Sequence, residues 1–212
     1  NVSTMENMFR NASNFNKDLS DWDVNNLISM SEMFYEATSF NGDITTWDVS
    51  NVTNMLRMFV STNFNQDLLN WNVTNVTNMQ SMFSGTSNFD QNISSWDVSS
   101  VTNMSQIFMN KITFNDDIGN WNVSSVTNMY GMFLYATTFN QDISSWDVSS
   151  ASLQNMFGSS NDLSDENQCA IHTSFQTNDT WSYDWSDACY QFQTTAALQT
   201  AVDLWVSDSA SA

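Results

Sequence analysis

Apolar residues along this chain recur in two interlocked periods. In the stretch from Phe40 to Phe59, Ile44, Trp47 and Val49 close on a step of two, the spacing of a short strand that turns Trp and Val inward and Asp48 outward. Met55, Met58, Phe59 and Thr62 then fall at i, i+3, i+4 and i+7, one face of a short helix, with Thr53 or Asn54 available to cap its start. The pattern predicts one short strand and one short helical turn per unit.

The unit repeats. Its Trp returns at Trp22, Trp47, Trp71, Trp96, Trp121 and Trp146, and Phe15, Phe40, Phe64, Phe89, Phe114 and Phe139 keep step with it. Leu19, Ile44, Leu68, Ile93, Ile118 and Ile143 form a second apolar column. Met5, Met30, Met55, Met79, Met104 and Met129 open each helical turn, and Leu153 takes that place in a degenerate seventh unit. A fixed period of about 25 residues means stacked units that bury one another's apolar faces. The expected fold is an α/β repeat solenoid, leucine-rich-repeat-like, over residues 1–157, with the methionines and most aromatics serving as core.

Beyond Phe157 the period stops, and residues 158–212 read as a small helical cap or inter-array hinge. Ser164, followed by Asp165 and Glu166, suits the N-cap and acidic first turn of a helix reaching about Phe175. Thr194 or Thr195 is placed to cap a second helix, with Leu198, Val202, Trp205 and Val206 on one face. Trp181, Tyr183 and Trp185 supply apolar mass to cover the last repeat. Asn1 to Met5 match Asn51 to Met55, so the chain begins inside a repeat and is read as a mature or excised piece of a longer one.

The skeleton Ile-x-x-Trp-x-Val-x-x-Val-x-x-Met-x-x-Met-Phe resembles the leucine-rich-repeat frame. The wording from Phe139 through Trp146, Asp147 and Val148 resembles the BspA-like surface proteins, a group that includes the mycoplasma-lipoprotein repeats and chains of marine microbes and algae. The segment from Leu163 to Phe175 is similar to one that follows repeat blocks in such chains. The resemblance covers residues 1 to about 157. It implies an extracellular, cell-surface or secreted protein concerned with adhesion, and it carries no catalytic residues.

Charge narrows the classes further. Arg10, Lys17, Arg57 and Lys111 oppose 23 acidic residues, for a net charge of -19, which repels phosphate backbones and anionic lipid alike. Nucleic acid is excluded as a partner, and no run of residues is apolar enough for a membrane span. The expected partner is a protein or the extracellular matrix, or other copies of the chain in a fibre, sheath or appendage.

Candidate chemistry is sparse. Cys169 and Cys189, with no other cysteine in the chain, read as one local disulfide in an oxidising compartment. Cys169 and His172 have the spacing of half a metal site, yet too few further ligands exist for zinc, and a disulfide-bonded sulfur is no nucleophile. Two acidic files run along the array: Asp18, Asp43, Asp67, Asp117 and Asp142, with Asn92 among them, and Asp23, Asp48, Asp97 and Asp147, with Asn72 and Asn122. They read either as turn residues holding backbone amides or as oxygen ligands for bridging calcium, the one cofactor considered. Thr4, Thr53, Thr77, Thr102 and Thr127 form a hydroxyl file, read as helix N-caps rather than an ice-binding rank. Acceptor sequons for N-glycosylation stand at Asn1, Asn11, Asn51, Asn72, Asn75, Asn92, Asn103, Asn122 and Asn178.

Overall fold

The computed structural model describes residues 2–158 and 162–209. The repeats stack one upon another, but they are neither strand nor helix, which corrects the expected α/β leucine-rich-repeat-like solenoid. Among the described residues the helices are α1, Asp165–Phe175, and α2, Ser186–Ser209, both in the tail. Strand character in the array is confined to single parallel bridges, running from Thr4↔Ser29 through Ser29↔Asn54 to Asn128↔Ser152.

The physical reason lies in where the amide hydrogens go. Met55, Arg57, Phe59 and Ser61 donate to the carbonyls of Asn78, Gln80, Met82 and Ser84 in the next coil, at 2.9, 2.9, 3.0 and 3.0 Å. Between them, Met58, Val60 and Thr62 donate three residues back, to Met55, Arg57 and Phe59. Every second N–H is thereby committed between coils, and an α-helix, which needs them all internally, cannot form. Arg57 and Ser61 also take left-handed φ of 52° and 56°, and the same two columns do so in coil after coil, as at Asn7 and Asn11 or Gln106 and Asn110. The i, i+3, i+4, i+7 spacing nonetheless marked burial correctly, because Met55, Met58, Phe59 and Thr62 all face the core.

The expected strand at Ile44 to Val49 is likewise a turn, closed by Trp47 N–H donating to the Ile44 carbonyl at 3.2 Å. Here the coils are joined by a side chain instead of a ladder. Each indole donates to a carbonyl of the coil before it: Trp47 to Leu19 at 2.9 Å, Trp71 to Ile44 at 3.3 Å, Trp96 to Leu68 at 3.1 Å, Trp121 to Ile93 at 3.3 Å and Trp146 to Ile118 at 3.1 Å. These rings are buried, and beside them two files of phenylalanines stack face to face. Phe34 lies 3.8 Å from Phe40 within its coil and 5.9 Å from Phe59 in the next. Such pairs add about 0.5–1.5 kcal/mol each beyond the area they bury. Gly42 allows a close approach in this packing, since a Cβ there would stand 2.0 Å from the Lys17 carbonyl oxygen.

The tail closes the last coil. Trp181, Tyr183 and Trp185 meet the Phe157 ring at 6.3, 6.0 and 5.3 Å. Hydroxyls and an amide stand where the next coil's carbonyls and amides would be: the Leu153 N–H donates to Thr180 Oγ1 at 2.8 Å, and Asn178 Nδ2 donates to the Val148 and Ala151 carbonyls at 2.7 and 2.9 Å. Ser164 Oγ accepts the Asn167 N–H as the N-cap of α1, and a disulfide between Cys169 and Cys189 ties α1 to α2.

α2 begins at Ser186, well before the expected caps Thr194 and Thr195. Asp184 Oδ1 accepts the Ser186 N–H at 3.2 Å and starts the helix beside the disulfide. Leu198 and Val202, expected on a packed face, are exposed, while the side chains of Trp205 and Val206 lie outside the described residues.

Candidate functional site

The two acidic files are files of turns. In the first, Oδ1 of Asp18, Asp43, Asp67, Asp117 and Asp142 accepts the N–H two residues on, that of Ser20, Thr45, Leu69, Gly119 and Ser144, at 2.8–3.1 Å. In the second, Asp23, Asp48, Asp97 and Asp147 accept from Asn25, Ser50, Ser99 and Ser149 at 3.0–3.2 Å. Asn92, Asn72 and Asn122 do the same with their amide oxygens, which is why Asn interchanges with Asp in these columns. The Ser50, Ser99 and Ser149 hydroxyls and amides hold Asp48, Asp97 and Asp147 below the usual carboxylate range, and Ser20 does so for Asp18, chiefly through its amide. Among the described residues no group of three or more His, Cys, Asp or Glu is placed to hold a metal ion.

The threonine file caps no helix, because no helix follows it. Thr53, Thr77, Thr102 and Thr127 instead donate their hydroxyls back to the carbonyls of Ile28, Thr53, Thr77 and Thr102 at 3.1–3.3 Å. They are rivets between coils. Of the sequons, Asn1 lies outside the described residues, and Asn11, Asn51, Asn72, Asn75, Asn92 and Asn122 are exposed. Nδ2 of Asn51 and Asn75 is already given to the carbonyls of Asn25 and Ser50, that of Asn103 to Gln80 Oε1, and that of Asn178 to the array's end.

Cys169 and Cys189 are joined, and His172 Nδ1 accepts the Trp181 indole N–H at 3.1 Å. The sulfur and imidazole that sequence spacing singled out are thus both engaged in holding the cap together. That tail forms a groove of about 640 Å³ with the last coils, lined by Trp146, Asp147, Ser149, Ser150, Asn178 and Asp179 among others.

One departure from the repeat escaped the sequence reading. Lys111 stands in the column of Ala12, Ala37, Thr62, Thr86 and Ala136, and is fully buried. Its Nζ donates to Thr113 Oγ1 at 2.7 Å, and burial pushes its pKa down to about 8, opposed by the charge of Asp90. In the neighbouring columns Asp90 replaces the asparagine whose Oδ1 elsewhere accepts the next coil's N–H, as Asn41 does from Asn65 at 2.8 Å. Asp116 Oδ2 reaches back to the Ile93 N–H at 2.7 Å, and its burial raises its pKa. A cleft of about 220 Å³ opens at this break in the asparagine ladder. A lysine in a column of Ala and Thr was the available signal.

A family model described as "Mycoplasma protein of unknown function, DUF285" matches residues 1–84 and 61–169. The chain belongs to this family. The DUF285 matches take in every coil and run through Cys169 in α1, while Trp181, Tyr183, Trp185 and Cys189 lie past them. No curated protein and no solved structure matches the chain.

Proposed function

We propose that this DUF285 chain is a non-enzymatic extracellular recognition or adhesion protein, acting through its polar repeat face in the manner the BspA-like resemblance implies. The observation that carries the reading is the hydrogen bonding that orders that face: each file carboxylate accepts an amide two residues on, and Thr53, Thr77, Thr102 and Thr127 bond to the coil before. Such a surface is preorganised, so a partner would bind without the cost of ordering it. The disulfide supports an oxidising location. The engagement of Cys169, Cys189 and His172 within the cap supports a role without chemistry, and no described helix is long and apolar enough to cross a membrane.

The competing reading is a structural subunit of an extracellular fibre, and its simplest form, one array stacked directly on the last coil of another, is disfavoured by the tail. Thr180 and Tyr183 occupy the amides that a following subunit would need. The test is capture of the purified chain by cell surfaces and matrix-coated surfaces, with sedimentation in parallel. Saturable binding by a monodisperse particle supports recognition; filaments without surface binding would overturn it.

A further inference from the structure

The repeats serve as an internal alignment, and one coil departs from the others on its turn face. The left-handed column reads Asn11, Glu36, Ser61, Gly85 and Asn110, and then Tyr135, with φ of 62°. A bulky ring in that conformation is costly where Asn or Gly is at ease, and such strain points to a use for the ring. The same coil places Tyr130 in a column otherwise occupied by Glu6, Ser31, Leu56, Gln80, Ser105 and Gln154. Tyr130 and Tyr135 are 38% and 48% exposed. Tyr135, Leu134, Asn155 and Gly158 join Tyr183 of the tail around a cleft of about 580 Å³. Gly158 permits the approach, for a Cβ there would come within 2.6 Å of Leu134 Cδ1.

We propose that this cleft binds a neutral saccharide, with Tyr135 as the ring on which a sugar face stacks and the Asn155 amide oxygen as its polar contact, the Asn155 Nδ2 being given to the Tyr130 hydroxyl at 3.4 Å. The proposal rests on the recognition reading above and names a ligand class for it. Among the described residues that line it none is charged, on a chain of net charge -19, so an uncharged ligand fits where an acidic one would be repelled. Part of the main chain in the cleft wall is already committed: the Leu134 carbonyl accepts from Asn110 at 2.8 Å, the Leu134 N–H goes to the Gly131 carbonyl at 3.1 Å, and the Gly158 N–H goes to the Tyr183 hydroxyl at 3.2 Å. An extended peptide would find little backbone to pair with, whereas a sugar needs rings and side-chain amides. The size is that of a small-ligand site.

The test is a glycan array followed by titration of retained sugars into wild type, Tyr135→Asn and, as a control in α2, Tyr190→Ala. Tyr135→Asn restores the residue that Asn11 and Asn110 supply in the same column, so it should fold with an unchanged or raised melting temperature. The expected result is retention of neutral glycans by wild type and Tyr190→Ala, and at least about a tenfold loss of affinity in Tyr135→Asn. Equal sugar affinity in Tyr135→Asn and wild type would overturn the site. If the chain binds cells or matrix but no neutral glycan, the saccharide site falls and recognition stands. Loss of binding in Tyr135→Asn confined to protein-coated surfaces would make the cleft a peptide site and overturn the proposal as well. Failure to bind any surface or sugar would sink both readings.

Discussion

The phenol oxygen of Tyr183 accepts the backbone N–H of Phe157 at 2.9 Å, and with it that of Gly158 at 3.2 Å. In the coil before, the Phe133 N–H finds the Met156 carbonyl, so one tail hydroxyl stands in for the main chain of an absent coil. Tyr183→Phe keeps the ring and strands two amides. It should cost about 1–3 kcal/mol and speed hydrogen exchange at Phe157 and Gly158 before the array melts. Unchanged exchange at those amides would show that the cap does not depend on this oxygen.

Trp96 packs its ring 6.2 Å from Phe83 and gives its indole N–H to Leu68. Trp96→Ala should cost about 3–5 kcal/mol through the cavity it leaves. Trp96→Phe should fall in between, since it keeps most of the apolar volume but leaves the Leu68 carbonyl without that donor. Denaturant melts of the three proteins order them.

Lys111 predicts a pH dependence. Its pKa in the folded chain, about 8, lies below the ordinary 10.5, so between those values the unfolded chain holds a proton that the folded chain has released. Stability therefore rises with pH across that window, and the cost of the buried charge is fully present below it. Lys111→Thr, matching Thr62 and Thr86, should stabilise the array by about 1–2 kcal/mol at neutral pH, allowing for screening, and flatten the slope between pH 8 and 10.5. Melting temperatures at several pH values decide it; a steeper slope in the variant would contradict the assignment.

Asp97→Asn should change stability by no more than about 0.5 kcal/mol, because Asn72 and Asn122 hold the same turn in the same file. Calcium should raise the melting temperature no more than sodium at matched ionic strength, since specific binding would add RT ln(1 + [L]/Kd) and each file oxygen Oδ1 is already engaged. A calcium-specific rise would restore the bridging-cation reading.

The sequence by itself determined the repeat, its register and its core. The Trp, Phe, Met and Leu/Ile columns could be read as inward because burial follows side-chain spacing, and spacing survives whatever backbone carries it. The Asp and Asn files could be read as turn residues for the same local reason, since an Asx turn closes within two residues. What only the tertiary structure decided is where the amides point. Met55, Met58, Phe59 and Thr62 have the spacing of a helix face, and nothing local distinguishes a helix from a coil in which the N–H groups of Met55, Arg57, Phe59 and Ser61 go to the carbonyls of Asn78, Gln80, Met82 and Ser84. The cleft beneath Tyr135 was hidden in the same way. Its walls come from Leu134, Asn155 and Tyr183, which are brought together by the stacking of one coil on the next and by the tail folding back over Phe157.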